Sequence, residues 1–127
     1  MSQWEFFTTE ELRCKGTGDC AMNIEFMDKL VALRKKYNRP MVISSGYRSI
    51  AHNSSINGAR HSPHLHGRAV DVLCHGKAAY DLIKMAMSMG MTGIGLQQRG
   101  EYESRFVHLD DMPKSETHHR PWVWTYK

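Results

Sequence analysis

Apolar residues recur at helical spacing in two places along the chain. From Asn23 to Tyr37, Phe26, Leu30, Leu33 and Tyr37 fall on one face, and Ile24, Met27 and Val31 widen the stripe. Asn38 and Pro40 end this predicted helix, because a proline disfavours helical dihedrals in the residue before it. A second helix is predicted over Lys77 to Met89, with Ala79, Leu82, Ile83, Ala86 and Met87 on one face and Gly90 as its C-terminal stop. Short runs rich in apolar and β-branched residues predict strands at Met41 to Ser45, Ala69 to Leu73, Thr92 to Leu96, Arg105 to Leu109 and Trp122 to Tyr126. The order helix, strand, strand, helix and then strands predicts an α+β fold, with the helices packed on a mainly antiparallel sheet.

One long segment breaks this patterning. Gly46 to Arg68 is rich in Ser, Asn, Gly, His and Arg and poor in large apolar residues, so it reads as loop. Structureless stretches of that length in compact domains are often functional.

Composition narrows the classes. A chain of 127 residues, 41% hydrophobic, is long enough for one domain over 1–127 with a real core, and the nine methionines read as core filler. Charged residues make up 24% and the net charge is +4, a mild excess whose carriers are scattered apart from Arg34, Lys35, Lys36 and Arg39 at the end of the first helix. Cations favour that end of a helix dipole, and no basic stripe with interleaved aromatics is present, so nucleic acid is not an expected partner. No apolar run approaches the roughly 20 residues needed to cross a bilayer, so a membrane is not expected either. The expected state is a monomer.

Cys14, Cys20 and Cys74 are odd in number, which excludes a complete disulfide framework; Cys14 and Cys20 could pair locally, but free thiols are favoured. The first residues lack the pattern of a secretory signal, so the expectation is synthesis in the cytoplasm and, for any action outside it, export by another route.

Candidate chemistry comes from the histidines. A catalytic zinc ion takes three protein ligands from His, Asp, Glu or Cys and keeps a fourth position open. Of the eight histidines, His61, His64 and His66 crowd into the long loop, and Asp71 follows on the next strand, seven residues after His64. A further ligand has to come from a separate element, and the strand Phe106-Val-His-Leu-Asp offers His108. Strand alternation turns Phe106, His108 and Asp110 to one face and Val107 and Leu109 to the other. Spacing alone leaves open both a metal site and a decorated loop beside a hydrogen-bonded core histidine.

The runs Ser44-Ser-Gly-Tyr-Arg-Ser49, Ser62-Pro-His-Leu-His-Gly-Arg-Ala-Val-Asp71, Gly93-Ile-Gly95 and Phe106-Val-His-Leu-Asp110 occur in that order. Together they resemble the zinc D-alanyl-D-alanine carboxypeptidase family, which includes phage endolysin peptidases and is similar in structure to the hedgehog signalling domain. The resemblance extends from about Phe7 to Trp124. It implies a hedgehog-like zinc peptidase fold, Zn2+ as cofactor, His64, Asp71 and His108 as its ligands, and a peptidoglycan peptide as substrate. It implies Arg48 as the arginine that meets a substrate carboxylate or carbonyl, for which a planar charged fork is suited. Ser62 is similar to a family serine that binds substrate or orients a ligand.

The chain departs from better-known members at the catalytic base, where an acidic residue often precedes the last His by a few positions; position 105 is Arg. Asp110 is the expected base on strand geometry, with Glu103 and Glu101 as the remaining candidates. His66 is expected at the surface, as are His61, His75, His118 and His119. The expected function is a zinc metallopeptidase cutting stem peptides or cross-links, as a carboxypeptidase or endopeptidase of phage-lysin type, acting on the bacterial wall or carried on a virion. The alternative is a zinc-containing binding or virion structural module without turnover.

Overall fold

In the computed structural model, which describes residues 4–126, the two long helices form where the periodicity places them. Helix α1 (Thr9–Leu12) is a short element closed by a capping box between Thr8 and Glu11. Helix α2 (Ile24–Tyr37) starts at Asn23, whose side chain accepts from the Phe26 N–H at 3.0 Å. It ends at Asn38 in the left-handed conformation, after a last turn carrying Arg34, Lys35 and Lys36.

Strand β1 (Val42–Ser45) leads to helix α3 (Ile50–Ser55), and a 3-10 turn (Pro63–His66) delivers the chain into strand β2 (Ala69–Leu73). Helix α4 (Gly76–Ser88) and strands β3 (Gly93–Gln97), β4 (Phe106–Asp110) and β5 (Trp122–Thr125) complete the described fold, with a second 3-10 turn at Tyr102–Ser104. The five strands form one sheet in the order β1-β2-β4-β3-β5, antiparallel throughout except where β5 runs parallel to β3. The α+β reading with a mainly antiparallel sheet is borne out.

The segment 46–68 corrects the sequence reading, which took it as loop. Helix α3 has no apolar stripe to announce it: Ile50 is 79% exposed. Polar groups hold it instead. The Ser49 hydroxyl accepts from the His52 N–H at 3.1 Å, and the buried Asn53 side chain donates to the Ala59 carbonyl at 2.8 Å.

Alternation gives the sheet two unlike faces. Val70 and Val72 of β2, Ile94 of β3, and Val107 and Leu109 of β4 join Phe26, Met27, Leu30 and Leu33 of α2 and Ala79, Leu82 and Ala86 of α4 in one apolar core. The opposite face carries Asp71, His108, Asp110, Gly93, Gly95, Trp122 and Trp124, under the segment 46–68 and the stretch 111–120.

Candidate metal centre

Asp71 and His108 meet because β2 and β4 pair in the register Asp71↔His108, which sets the two residues directly opposite on the same face. His64 arrives from the 3-10 turn. Ser62 starts that turn, its Oγ accepting from the His64 N–H at 3.2 Å, and Gly67 ends it at φ 66°, where a Cβ would overlap the Ala21 carbonyl. All three side chains are buried.

The outer nitrogen of each imidazole is already committed. His64 Nδ1 lies 2.7 Å from the Gly46 carbonyl, which can only accept, so this nitrogen carries the proton in neutral His64 and Nε2 presents a lone pair. His108 Nε2 lies 2.7 Å from Asp110 Oδ2, which likewise commits Nε2 as donor and leaves Nδ1 as the acceptor. These two inner nitrogens face Asp71 Oδ1 at 3.3 Å and 3.1 Å. With both imidazoles neutral, three acceptors thus converge with no proton between them, an arrangement that calls for a cation.

The spacing fits zinc. Tetrahedral coordination with bonds of about 2.0–2.1 Å puts neighbouring ligand atoms about 3.3 Å apart, against the 3.3 Å and 3.1 Å found here. The three donor atoms lie within 4.8 Å of one another, and this is the one such group of His, Cys, Asp or Glu among the described residues. A carbonyl behind one histidine and a carboxylate behind the other are the supports that zinc-binding imidazoles characteristically have.

Electrostatics follow the same geometry. Burial works to raise the Asp71 carboxyl, but the neighbouring imidazoles outweigh it and hold the group well below the usual carboxylate range. Burial pushes His64 below its ordinary value. Burial also opposes charge on His108, yet its hydrogen bonds to Asp110 and Asp71 outweigh this and raise it.

A cleft of about 830 Å³ opens over the centre. Arg48 sits beside it, its Nη2 3.6 Å from Asp71 Oδ2, while its Nε and Nη1 donate to Ser45 Oγ and Asn53 Oδ1, both at 3.2 Å. Ser62 also lines the cleft, with its hydroxyl spent on the turn. The far wall is aromatic: Trp122, Trp124 and Tyr126, with the Trp124 ring 5.0 Å from that of His108. Gly95 makes room for this wall, since a Cβ there would fall 2.8 Å from both Trp124 Nε1 and Tyr126 Oη. Burial pushes the Tyr126 hydroxyl up to about 12, with the Asp71 charge adding to it.

The comparison with known families decides what this centre is. The peptidase M15 model matches residues 4–110, most of the chain. The chain belongs to the peptidase M15 family. Its 59% that aligns with the peptidoglycan L,D-endopeptidase MepK of Escherichia coli K12 is 36% identical over 80 residues, and covers 42% of MepK. The zinc D-Ala-D-Ala carboxypeptidase of Streptomyces albus G is 33% identical over 69 residues, 54% of this chain and 27% of that protein. The chain therefore spans less than half the length of these relatives. Within the M15 fold, His64, Asp71 and His108 form an intact zinc site, as the resemblance implied.

Several other expectations are corrected. Asp110 is no free base: Oδ1 accepts from Arg120 Nε at 2.9 Å and the Met112 N–H at 3.2 Å, and Oδ2 from Arg120 Nη2 at 2.9 Å and His108 Nε2 at 2.7 Å. Four donors fill the four acceptor positions of a carboxylate. The Asp110 side chain is fully buried, on the side of the His108 ring away from Asp71. Glu103 is not brought to the centre; it is exposed on the 3-10 turn and borders a separate depression with Arg39, Cys74 and His75. Glu101, just before that turn, is also exposed.

His118, expected at the surface, is buried, with Nε2 2.6 Å from the His61 carbonyl and Nδ1 3.0 Å from Thr117 Oγ1. His61, His66, His75 and His119 are exposed as expected. Cys14, Cys20 and Cys74 are free thiols. Sequence reasoning missed Arg120, Trp124 and Tyr126, and the aromatic run around Trp122 was the available signal for two of them.

Proposed function

We propose that the chain is a zinc peptidase acting on the peptide part of peptidoglycan. The observation that carries this is the convergence of three buried acceptor atoms, with both imidazoles at tetrahedral spacing from the carboxylate, on the floor of an open cleft, in an M15 chain whose relatives include a peptidoglycan endopeptidase and a D-Ala-D-Ala carboxypeptidase. Zinc held there by His64, Asp71 and His108 would supply Lewis acidity toward water and a carbonyl oxygen.

The chain's own residues supply the rest. Arg48, braced by Ser45 and Asn53, presents charge beside the centre where a substrate carboxylate or carbonyl lies. The aromatic wall excludes water from one side of the reacting bond. Asp110 acts as the group that orients His108 and not as the base. Asp71 is the sole carboxylate among the described residues lining the cleft, so no second carboxylate there stands ready as the base. Action at the bacterial wall, in a phage-lysin setting, belongs to the same proposal and rests on resemblance.

The missing carboxylate also favours the second reading, a zinc module that binds wall peptides without cutting them. Purified chain incubated with isolated peptidoglycan, with released fragments weighed by mass spectrometry and zinc quantified on the same sample, separates the two. The peptidase reading expects new peptide fragments that disappear with chelator and return with added zinc. Stoichiometric zinc with no fragments selects the binding module, and a chain that takes up no zinc defeats both.

A further inference from the structure

The M15 match ends at residue 110, yet one side chain beyond it reaches the support of a metal ligand. Arg120 grips Asp110 with two parallel hydrogen bonds, Nε to Oδ1 and Nη2 to Oδ2, both 2.9 Å. Its third nitrogen, Nη1, donates to the His119 carbonyl at 2.6 Å, and its guanidinium carbon lies 5.2 Å from the centre of the Trp124 ring. Only 8% of the Arg120 side chain is exposed and none of the Asp110 side chain. Gly93 lies against this carboxylate so closely that a Cβ would overlap it.

We propose that Arg120 is a positioning residue for the metal, acting through Asp110 on His108. A carboxylate turns easily about its last side-chain bond, since that torsion has broad minima. The two-pronged contact fixes its plane, as a bidentate guanidinium does and a single ammonium donor does not. Oδ2 is then held 2.7 Å from His108 Nε2, and the ring is locked with Nδ1 aimed at the point where His64 Nε2 and Asp71 Oδ1 converge. Trp124 touches both ends of this chain, its ring lying 5.0 Å from His108 and beneath Arg120, so the aromatic wall and the metal ligand share one brace. The inference rests on reading the centre as a zinc site, and it assigns to the stretch after β4 a part in holding the ion.

The test is zinc affinity measured by competition with a chromophoric chelator, alongside visible absorption of the cobalt-substituted protein and thermal unfolding of the metal-free protein. For Arg120→Gln the dissociation constant for zinc should rise roughly 10–100-fold, the cost typical of losing a support behind a ligand, with the cobalt bands shifted. Arg120→Lys, which keeps the charge and loses the fork, should fall between Arg120→Gln and wild type, and carries the test if the glutamine variant does not fold. Asp110→Asn interrupts the same linkage, so combining it with either Arg120 variant should weaken binding less than the two single penalties multiplied together.

Zinc affinity within twofold of wild type and unchanged cobalt bands in the folded Arg120 variants would overturn the proposal, as would penalties that simply multiply. A wild-type chain with no zinc affinity defeats the functional reading instead, which keeps the two failures apart.

Discussion

The two faces of the central sheet come from the same strands, and a shift of one residue separates them. Val70, Val72, Val107 and Leu109 are buried against α2 and α4, while Asp71, His108 and Asp110, their immediate neighbours in sequence, are buried on the other side. Solvent exclusion alone does not tell core from site. The difference lies in how polar atoms are satisfied. On the helix side the strands offer only apolar surface, whose burial stabilises at roughly 25 cal/mol per Å². On the site side every outward nitrogen and all four acceptor positions of Asp110 have partners, whereas the inward atoms of His64, Asp71 and His108 are aimed at one point and, with both rings neutral, offer no donor among them.

The sharpest way to separate the faces is to remove a ligand. His64→Ala should abolish zinc uptake and bring any peptidase activity to background, while the metal-free protein unfolds in urea close to where wild-type apoprotein does. A large drop in apoprotein stability with zinc uptake retained would show the centre to be structural core. The reverse behaviour is expected across the sheet: Leu30→Ala, at a fully buried core position, should lower stability by about 2–5 kcal/mol, yet the folded fraction should still bind one zinc ion. Urea titration with metal quantification checks both.

The smallest effect is electrostatic and lies on the helix side. Burial pushes the Cys74 thiol up to about 11 from an ordinary 9.0. Between those values the unfolded chain has lost the proton that the folded one keeps. Stability should therefore fall as pH rises from 9.0 toward about 11. Cys74→Ala should flatten that slope, as read from urea midpoints across the alkaline range, and an unchanged slope would remove the thiol from the account.

The sequence was most informative where periodicity and chemistry coincide. Helices α2 and α4 and all five strands lie within a residue or so of the runs that predict them, and all but β5 carry an apolar face into the core. The ligand set was legible because its motifs also carry local geometry: Ser62 caps the turn that bears His64, and Gly67 supplies the left-handed residue that ends it. Helix α3 was not legible, since polar contacts of Ser49 and Asn53 hold it and no stripe marks it. The reading of Asp110 found its proper face, shared with His108. It lacked Arg120, whose approach depends on how the stretch after β4 folds back, and that arginine fills the lone pairs a base would need. The parallel docking of β5 on β3, which builds the aromatic wall, is likewise a tertiary choice that strand-by-strand patterning does not contain.

The opposed placement of Asp71 and His108 has a consequence for biogenesis. Side chains on a strand alternate with period two, so a slip of one residue between β2 and β4 would swing the carboxylate toward the helices and leave the imidazole facing Val70 or Val72. With Asp71 turned to the other face, a misregistered chain loses the carboxylate from the ligand set. Acquisition of zinc thus doubles as proofreading of strand pairing, and the bound metal favours the correctly assembled sheet over its near misses.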